Sequence, residues 1–137
     1  MAIREEVILP EFIEIKVPSK DRQGRPISQE KRDEWIRRWR AYLLSPKGMQ
    51  GEGYEALSRQ GTWRRGPKGR FDPKTGELQW TVEDIEGIRM YCSKRQLQLF
   101  RKSGRAFLVQ MGRDLKQEAV AYETGKGLHI VPLASKP

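Results

Sequence analysis

The sequence predicts an α+β fold of the ferredoxin-like, split β-α-β kind: an antiparallel sheet with two helices on one face and a C-terminal β-hairpin. Three observations predict it. Segments with helical spacing of apolar residues alternate with segments of period two. The order along the chain is β-α-β-β-α-β, with one further strand at the end. The 137 residues suffice for one two-layer core and are too few for two independent ones. Residues 1–137 are therefore read as a single domain.

The first strand covers residues 11–17, where Ile13, Ile15 and Val17 fall on one side and Phe12, Glu14 and Lys16 on the other. That alternation is the pattern of a strand with one buried face. Pro18–Pro26 follows, a connector in which Asp21, Gly24 and the prolines each favour a turn. It is read as a structured loop, and Lys20, Arg22 and Arg25 also qualify it as an anion-binding loop. Ser28 is an N-cap and Glu30 complements the helix dipole, which starts a helix over residues 29–44. Trp35, Ile36, Trp39, Tyr42 and Leu43 share one stripe of it and are read as core. Pro46 and Gly48 end it.

Residues 54–64 and 77–85 read as two strands joined by a long basic loop, with a turn at Asp72–Gly76. Leu78, Trp80 and Val82 alternate with polar residues, so one face of the second strand is core. Ile88–Tyr91 either continues this strand or forms a linker past Gly87. Ser93 and Gln96 have capping-box spacing at the head of a helix over residues 94–115. Leu97, Phe100, Gly104, Phe107, Leu108, Met111 and Leu115 lie on its inner face, where Gly104 signals a close approach. Residues 118–131 close the chain as a hairpin turning at Glu123–Gly127.

The segment Val17–Ile27, the tryptophan-containing helix, Gly61-Thr62-Trp63 and Gln117-Glu118-Ala119-Val120 together resemble a family of small bacterial α+β proteins. The shared loop reads Pro-Ser-x-Asp-Arg-x-Gly-x-Pro-Ile. The resemblance implies the α+β architecture and brings no catalytic or binding residues with it. Ser45–Met49 stands where that family has Phe-Gly-Gly-Ala-Thr.

The net charge of +9 concentrates polyanions at the surface, and nucleic acid leads the expected partners. Arg64, Arg65, Lys68 and Arg70 meet no acidic neighbour before Asp72, and Trp63 and Phe71 stand beside them. Stacking plus phosphate contacts would let this loop hold RNA or DNA. Lys94, Arg101, Lys102 and Arg105 add a basic stripe on the second helix. The leading expectation is a small nucleic-acid-binding protein without assured catalysis. A small nuclease is the second reading, centred on His129 or on Glu83, Asp84 and Glu86. A subunit docking an acidic partner is the third.

No motif calls for a cofactor or a metal ion. Cys92, the only cysteine, is read as a small buried residue, which excludes an internal disulfide. No apolar run spans a bilayer, so a cytoplasmic location is expected and no membrane partner. A homodimer, or a place in a larger complex, is expected from the architecture alone.

Overall fold

In a computed structural model, which describes residues 3–46, 48–64, 70–71 and 78–133, the alternating segment Glu11–Val17 becomes strand β1 at the middle of an antiparallel sheet. The strand order is β2 (Glu55–Arg64), β4 (Leu78–Cys92), β1, β5 (Ala119–Thr124) and β6 (Gly127–Pro132). The two-residue β3 (Arg70–Phe71) pairs with β4. Helix α1 (Gln29–Leu44) connects β1 to β2, and β4 lies between those two strands, antiparallel to both. This is the split β-α-β arrangement of an α+β, ferredoxin-like fold, with β6 added at one edge.

Both helical layers pack on one face of the sheet. Ile13, Ile15, Val17, Ile88, Met90, Val120 and Tyr122 supply the sheet side of the core, and Trp35, Trp39, Leu43, Phe100, Leu108 and Met111 the helix side. Trp39 is fully buried; its ring meets Phe107 at 4.6 Å and Phe100 at 6.3 Å, and its Nε1–H donates to Met111 Sδ at 3.2 Å. Ser28 caps α1 by accepting from the Lys31 N–H, and Ser93 and Gln96 form a reciprocal capping box on α2 (Lys94–Leu99).

Two elements differ from the sequence expectation. The strand expected to end at residue 85 continues to Cys92, because its far half pairs with β1 from Val17↔Glu86 to Glu11↔Cys92. Gly87 does not interrupt it: a Cβ there would lie 3.1 Å from the Glu14 carboxyl carbon, so the glycine makes room for a side chain from the next strand. The helix expected over 94–115 is broken into α2, a π-helical turn Phe100–Gly104, and α3 (Arg105–Asp114). At the turn the Arg105 N–H bonds Phe100 O, an i→i+5 bond that adds a residue to the turn. The cause is packing. Phe100 sits fully buried between Trp39 and Tyr122, and a Cβ on Gly104 would collide with its ring.

Asp114, at the end of α3, accepts from Trp35 Nε1 at 2.7 Å and faces Lys31 Nζ at 3.4 Å. The Trp35 hydrogen bond, ahead of the opposing effect of burial and with help from Lys31, holds its carboxyl below the ordinary value of 3.8. A depressed carboxylate stabilises the fold above its unfolded pKa, and that contribution is lost as pH falls through the folded pKa. Asp114→Asn should therefore lose less stability than the parent chain on acidification below pH 3.8, measured as thermal midpoint against pH. Parallel curves for the two proteins would contradict the assignment.

Candidate functional site

The sheet face opposite the helices is not covered by any described helix or strand, and its middle carries a cluster of paired charges with two aromatic rings. The sequence pattern dictates who sits there. With Ile13 and Ile15 turned to the core, Phe12, Glu14 and Lys16 must project from the other side of β1. Registry supplies their neighbours: Tyr91 lies opposite Phe12, Arg89 opposite Glu14, and Gly87 opposite Lys16 on β4, while Glu123 of β5 lies opposite Glu14 on the other flank.

Glu14 is fully buried although it belongs to the uncovered face. Its carboxylate accepts from Arg89 Nε at 2.9 Å and pairs with Lys16 Nζ. Arg89 and Lys16 also reach Glu123, at 3.3 Å and 3.5 Å. The Arg89 guanidinium lies 4.2 Å from the Phe12 ring centroid, and Phe12 meets Tyr91 edge-on at 6.3 Å. Burial pulls the Arg89 pKa down, but hydrogen bonds with Tyr91 and Glu14 and their negative potential outweigh it, so the pKa is raised and the cation is held. The result is two cations and two carboxylates alternating over a few ångströms, with Glu123 and Tyr91 the more exposed members. Such a surface suits a ligand that itself carries both signs and a flat ring.

Trp63 and Arg64 belong to β2 and Arg70 and Phe71 to β3, while Arg65 and Lys68 lie outside the described residues. Lys94, Arg101, Lys102 and Arg105 are exposed on the helical side, with Arg101 and Lys102 inside the π turn. Glu83, Asp84 and Glu86 belong to β4, where Asp84 is exposed and Glu86 faces Arg32 at 3.8 Å. His129 stacks on Tyr122 at 4.6 Å and shares a 2.8 Å hydrogen bond with Thr124. Glu86 and His129 thus have partners outside the sheet-face cluster. Cys92 is buried, and burial, followed by the charge of Glu11, pushes its thiol up to about 11, so it is protonated and unreactive at neutral pH. Among the described residues no group of three or more His, Cys, Asp or Glu is placed to hold a metal ion. No helix among them is long and apolar enough to cross a membrane.

The Pro18–Pro26 connector is a built turn. Asp21 Oδ1 accepts from the Gln23 and Arg25 N–H groups, Arg22 N–H donates to Lys116 O at 2.9 Å, and Gln117 Nε2 donates to Lys20 O at 2.8 Å. The Asp-Arg-x-Gly loop and the Gln117–Val120 segment are thereby joined at one end of the molecule, with Arg22 and Arg25 exposed.

No family model matches the chain, and no curated protein matches it by sequence. By fold, the chain is an α+β protein with an antiparallel sheet and helices on one face. Two solved structures share it: a phage SAM lyase in complex with S-methyl-5'-thioadenosine, with a TM-score of 0.56 and 15% identity over 96% of this chain and 96% of that one, and a phage SAM lyase in the apo state, with a TM-score of 0.57 and 17% identity over 100% of both chains. This likeness overturns the expectation of a nucleic-acid-binding protein, because the structures that share the fold end to end are those of an enzyme acting on a small molecule. The physical reason for the error is that net charge reports what a surface attracts in general and says nothing of which site is built.

Proposed function

We propose that the chain is a small cytoplasmic enzyme that cleaves S-adenosylmethionine as a lyase and releases S-methyl-5'-thioadenosine, with the uncovered sheet face as its site. The observation that carries this reading is the likeness over essentially the full length of both chains to a phage SAM lyase. The sheet-face cluster supports it independently. S-adenosylmethionine has a purine ring, a sulfonium cation, an ammonium group and a carboxylate, and the cluster offers rings, carboxylates and cations in alternation.

The chemistry follows from the product. Release of the thioether breaks the bond between sulfur and the γ-carbon of the amino-acid side, and the bonding electrons stay on sulfur, which becomes neutral. A lyase consumes no water. The γ-carbon must therefore take its new bond from within the four-carbon fragment, either from the fragment's own carboxylate, closing a lactone with no proton released, or by transfer of a β-proton to a carboxylate of the site or to solvent, giving an alkene. In this reading Arg89 and Lys16 orient the substrate carboxylate, and Glu123 lies near the cationic groups. The charge lost from sulfur weakens product binding relative to substrate.

The test is incubation of the purified chain with S-adenosylmethionine, with chromatography for S-methyl-5'-thioadenosine and mass spectrometry of the four-carbon fragment. The expected result is thioadenosine release with a lactone or alkene. Homoserine as the initial product would show hydrolysis and overturn the lyase reading, and no release above a heat-denatured control would overturn the enzyme reading.

A further inference from the structure

We propose that the outer face of the helical layer docks an acidic amphipathic helix of a partner protein, its apolar side chains in the groove between α1 and α3 and its carboxylates on the cations around that groove. Residues 37–46 and 94–113 hold nine lysines and arginines and no acid. The whole chain has 27 cations and 18 acids, so everything outside these two stretches is balanced, and the net charge of +9 belongs to the helices and their ends. Arg37, Arg40, Arg101, Lys102, Arg105 and Arg113 are exposed there, and among the described residues none of the six is in an ion pair. Lys16 and Arg89, across the sheet, differ in that Glu14 and Glu123 already answer their charge. Cations left unanswered on one face attract a partner of opposite sign and steer its approach.

The groove decides which polyanion fits. Helices α1 and α3 run antiparallel, with Trp35 bonded at the Asp114 end and Tyr42 at Ser103. Leu108 and Met111 are buried in the core, and Tyr42 of α1 with Ser103, Ala106, Phe107, Gln110 and Arg113 lines a groove that opens to solvent. From Ser103 to Arg113 the wall is about 15 Å long at 1.5 Å per residue. A bound helix presents apolar side chains at i, i+3 or i+4 and i+7 over that length. Nucleic acid needs open ring faces on which its bases stack. Phe107 is packed instead on Trp35, Trp39 and Tyr42 at 5.4, 4.6 and 5.4 Å, and Tyr42 on Trp39 at 5.8 Å. A second copy meeting this face with its own would bring like charge. The groove lies on the other side of the sheet from the charged cluster, so filling it leaves that cluster open.

The test is fluorescence anisotropy of the full chain at low ionic strength with a labelled peptide of about sixteen residues, long enough to hold a helix. Leucines occupy one face of that helix and glutamates the rest. A second peptide has the same composition with its leucines spread around the helix, and a single-stranded oligonucleotide of equal charge is the third probe. The patterned peptide should bind at least about tenfold more tightly than either of the others. Arg105→Glu with Arg113→Glu, both at exposed positions, should weaken it by at least about tenfold. Ala106→Lys separates shape from charge: it adds a cation but fills the groove, and binding should fall. Circular dichroism of each variant should match that of the parent. No binding of the patterned peptide, equal binding of the two peptides, an oligonucleotide held more tightly than either, or an Ala106→Lys chain that binds as well as the parent would each overturn the proposal.

Discussion

Replacing Arg89 with alanine is expected to lower stability by about 3 kcal/mol, the scale of leaving one member of a buried ion pair without its partner. Glu14 is fully buried, and without Arg89 its carboxylate keeps Lys16 but loses its bond to Arg89 Nε, while Phe12 loses the cation over its ring. At roughly 3 °C per kcal/mol for a domain of this size, the thermal midpoint should fall by about 10 °C. Arg89→Lys keeps the charge without the planar fork and should recover part of this. A double replacement, Glu14→Leu with Arg89→Met, should recover more, since an apolar pair of similar volume avoids the stranded carboxylate. If the cluster is also the substrate site, the two effects separate: the double variant regains stability and remains inactive in thioadenosine release. A double variant as unstable as Arg89→Ala would show that the cost lies in packing rather than in charge.

Trp39→Ala is expected to cost about 4 kcal/mol, within the range for truncating a large buried aromatic residue. The indole is fully buried among Tyr42, Phe100, Phe107 and Met111. Its loss opens a cavity at the seam between α1 and α3 and removes one wall from the Phe100 ring that the π turn accommodates. Denaturant unfolding should show a lower midpoint with little change in slope. A loss below about 1 kcal/mol would mean that the seam collapses to fill the space.

The fold was legible in the sequence to a large degree, and for a local reason. Period two in Glu11–Val17 and helical spacing in the tryptophan segment and in the second helix report which face each element buries, and burial of one face is what a two-layer fold requires. Caps were equally readable, because Ser28 and the Ser93–Gln96 box act within a few residues of themselves. The length of β4 was not. Gly87 looks like a break until the Glu14 carboxyl group is seen to lie 3.1 Å from where its Cβ would be. Nor was the π turn, which exists because Phe100 needs a place between Trp39 and Tyr122, residues distant from it in sequence.

The candidate site lay half in view. The alternation already put Phe12, Glu14 and Lys16 on the polar side of the first strand, but a polar side ordinarily means solvent. What turned Glu14 into a buried carboxylate was the arrival of Arg89 and Glu123 from strands 75 residues away for the first and far along the chain for the second. The conspicuous basic residues drew the functional reading to themselves because charge density is visible in one dimension. Compensated charge is not: a cluster in which Lys16 and Arg89 balance Glu14 and Glu123 leaves no run in the sequence.

By itself, then, the sequence determined the α+β class, the strand and helix order and the inner face of each helix, since these follow from local periodicity and capping. Tertiary structure alone decided the registry that gathers Phe12, Glu14, Lys16, Arg89, Tyr91 and Glu123 on one uncovered face. The physical reason is that pairing across a sheet joins residues by hydrogen-bond register rather than by spacing along the chain.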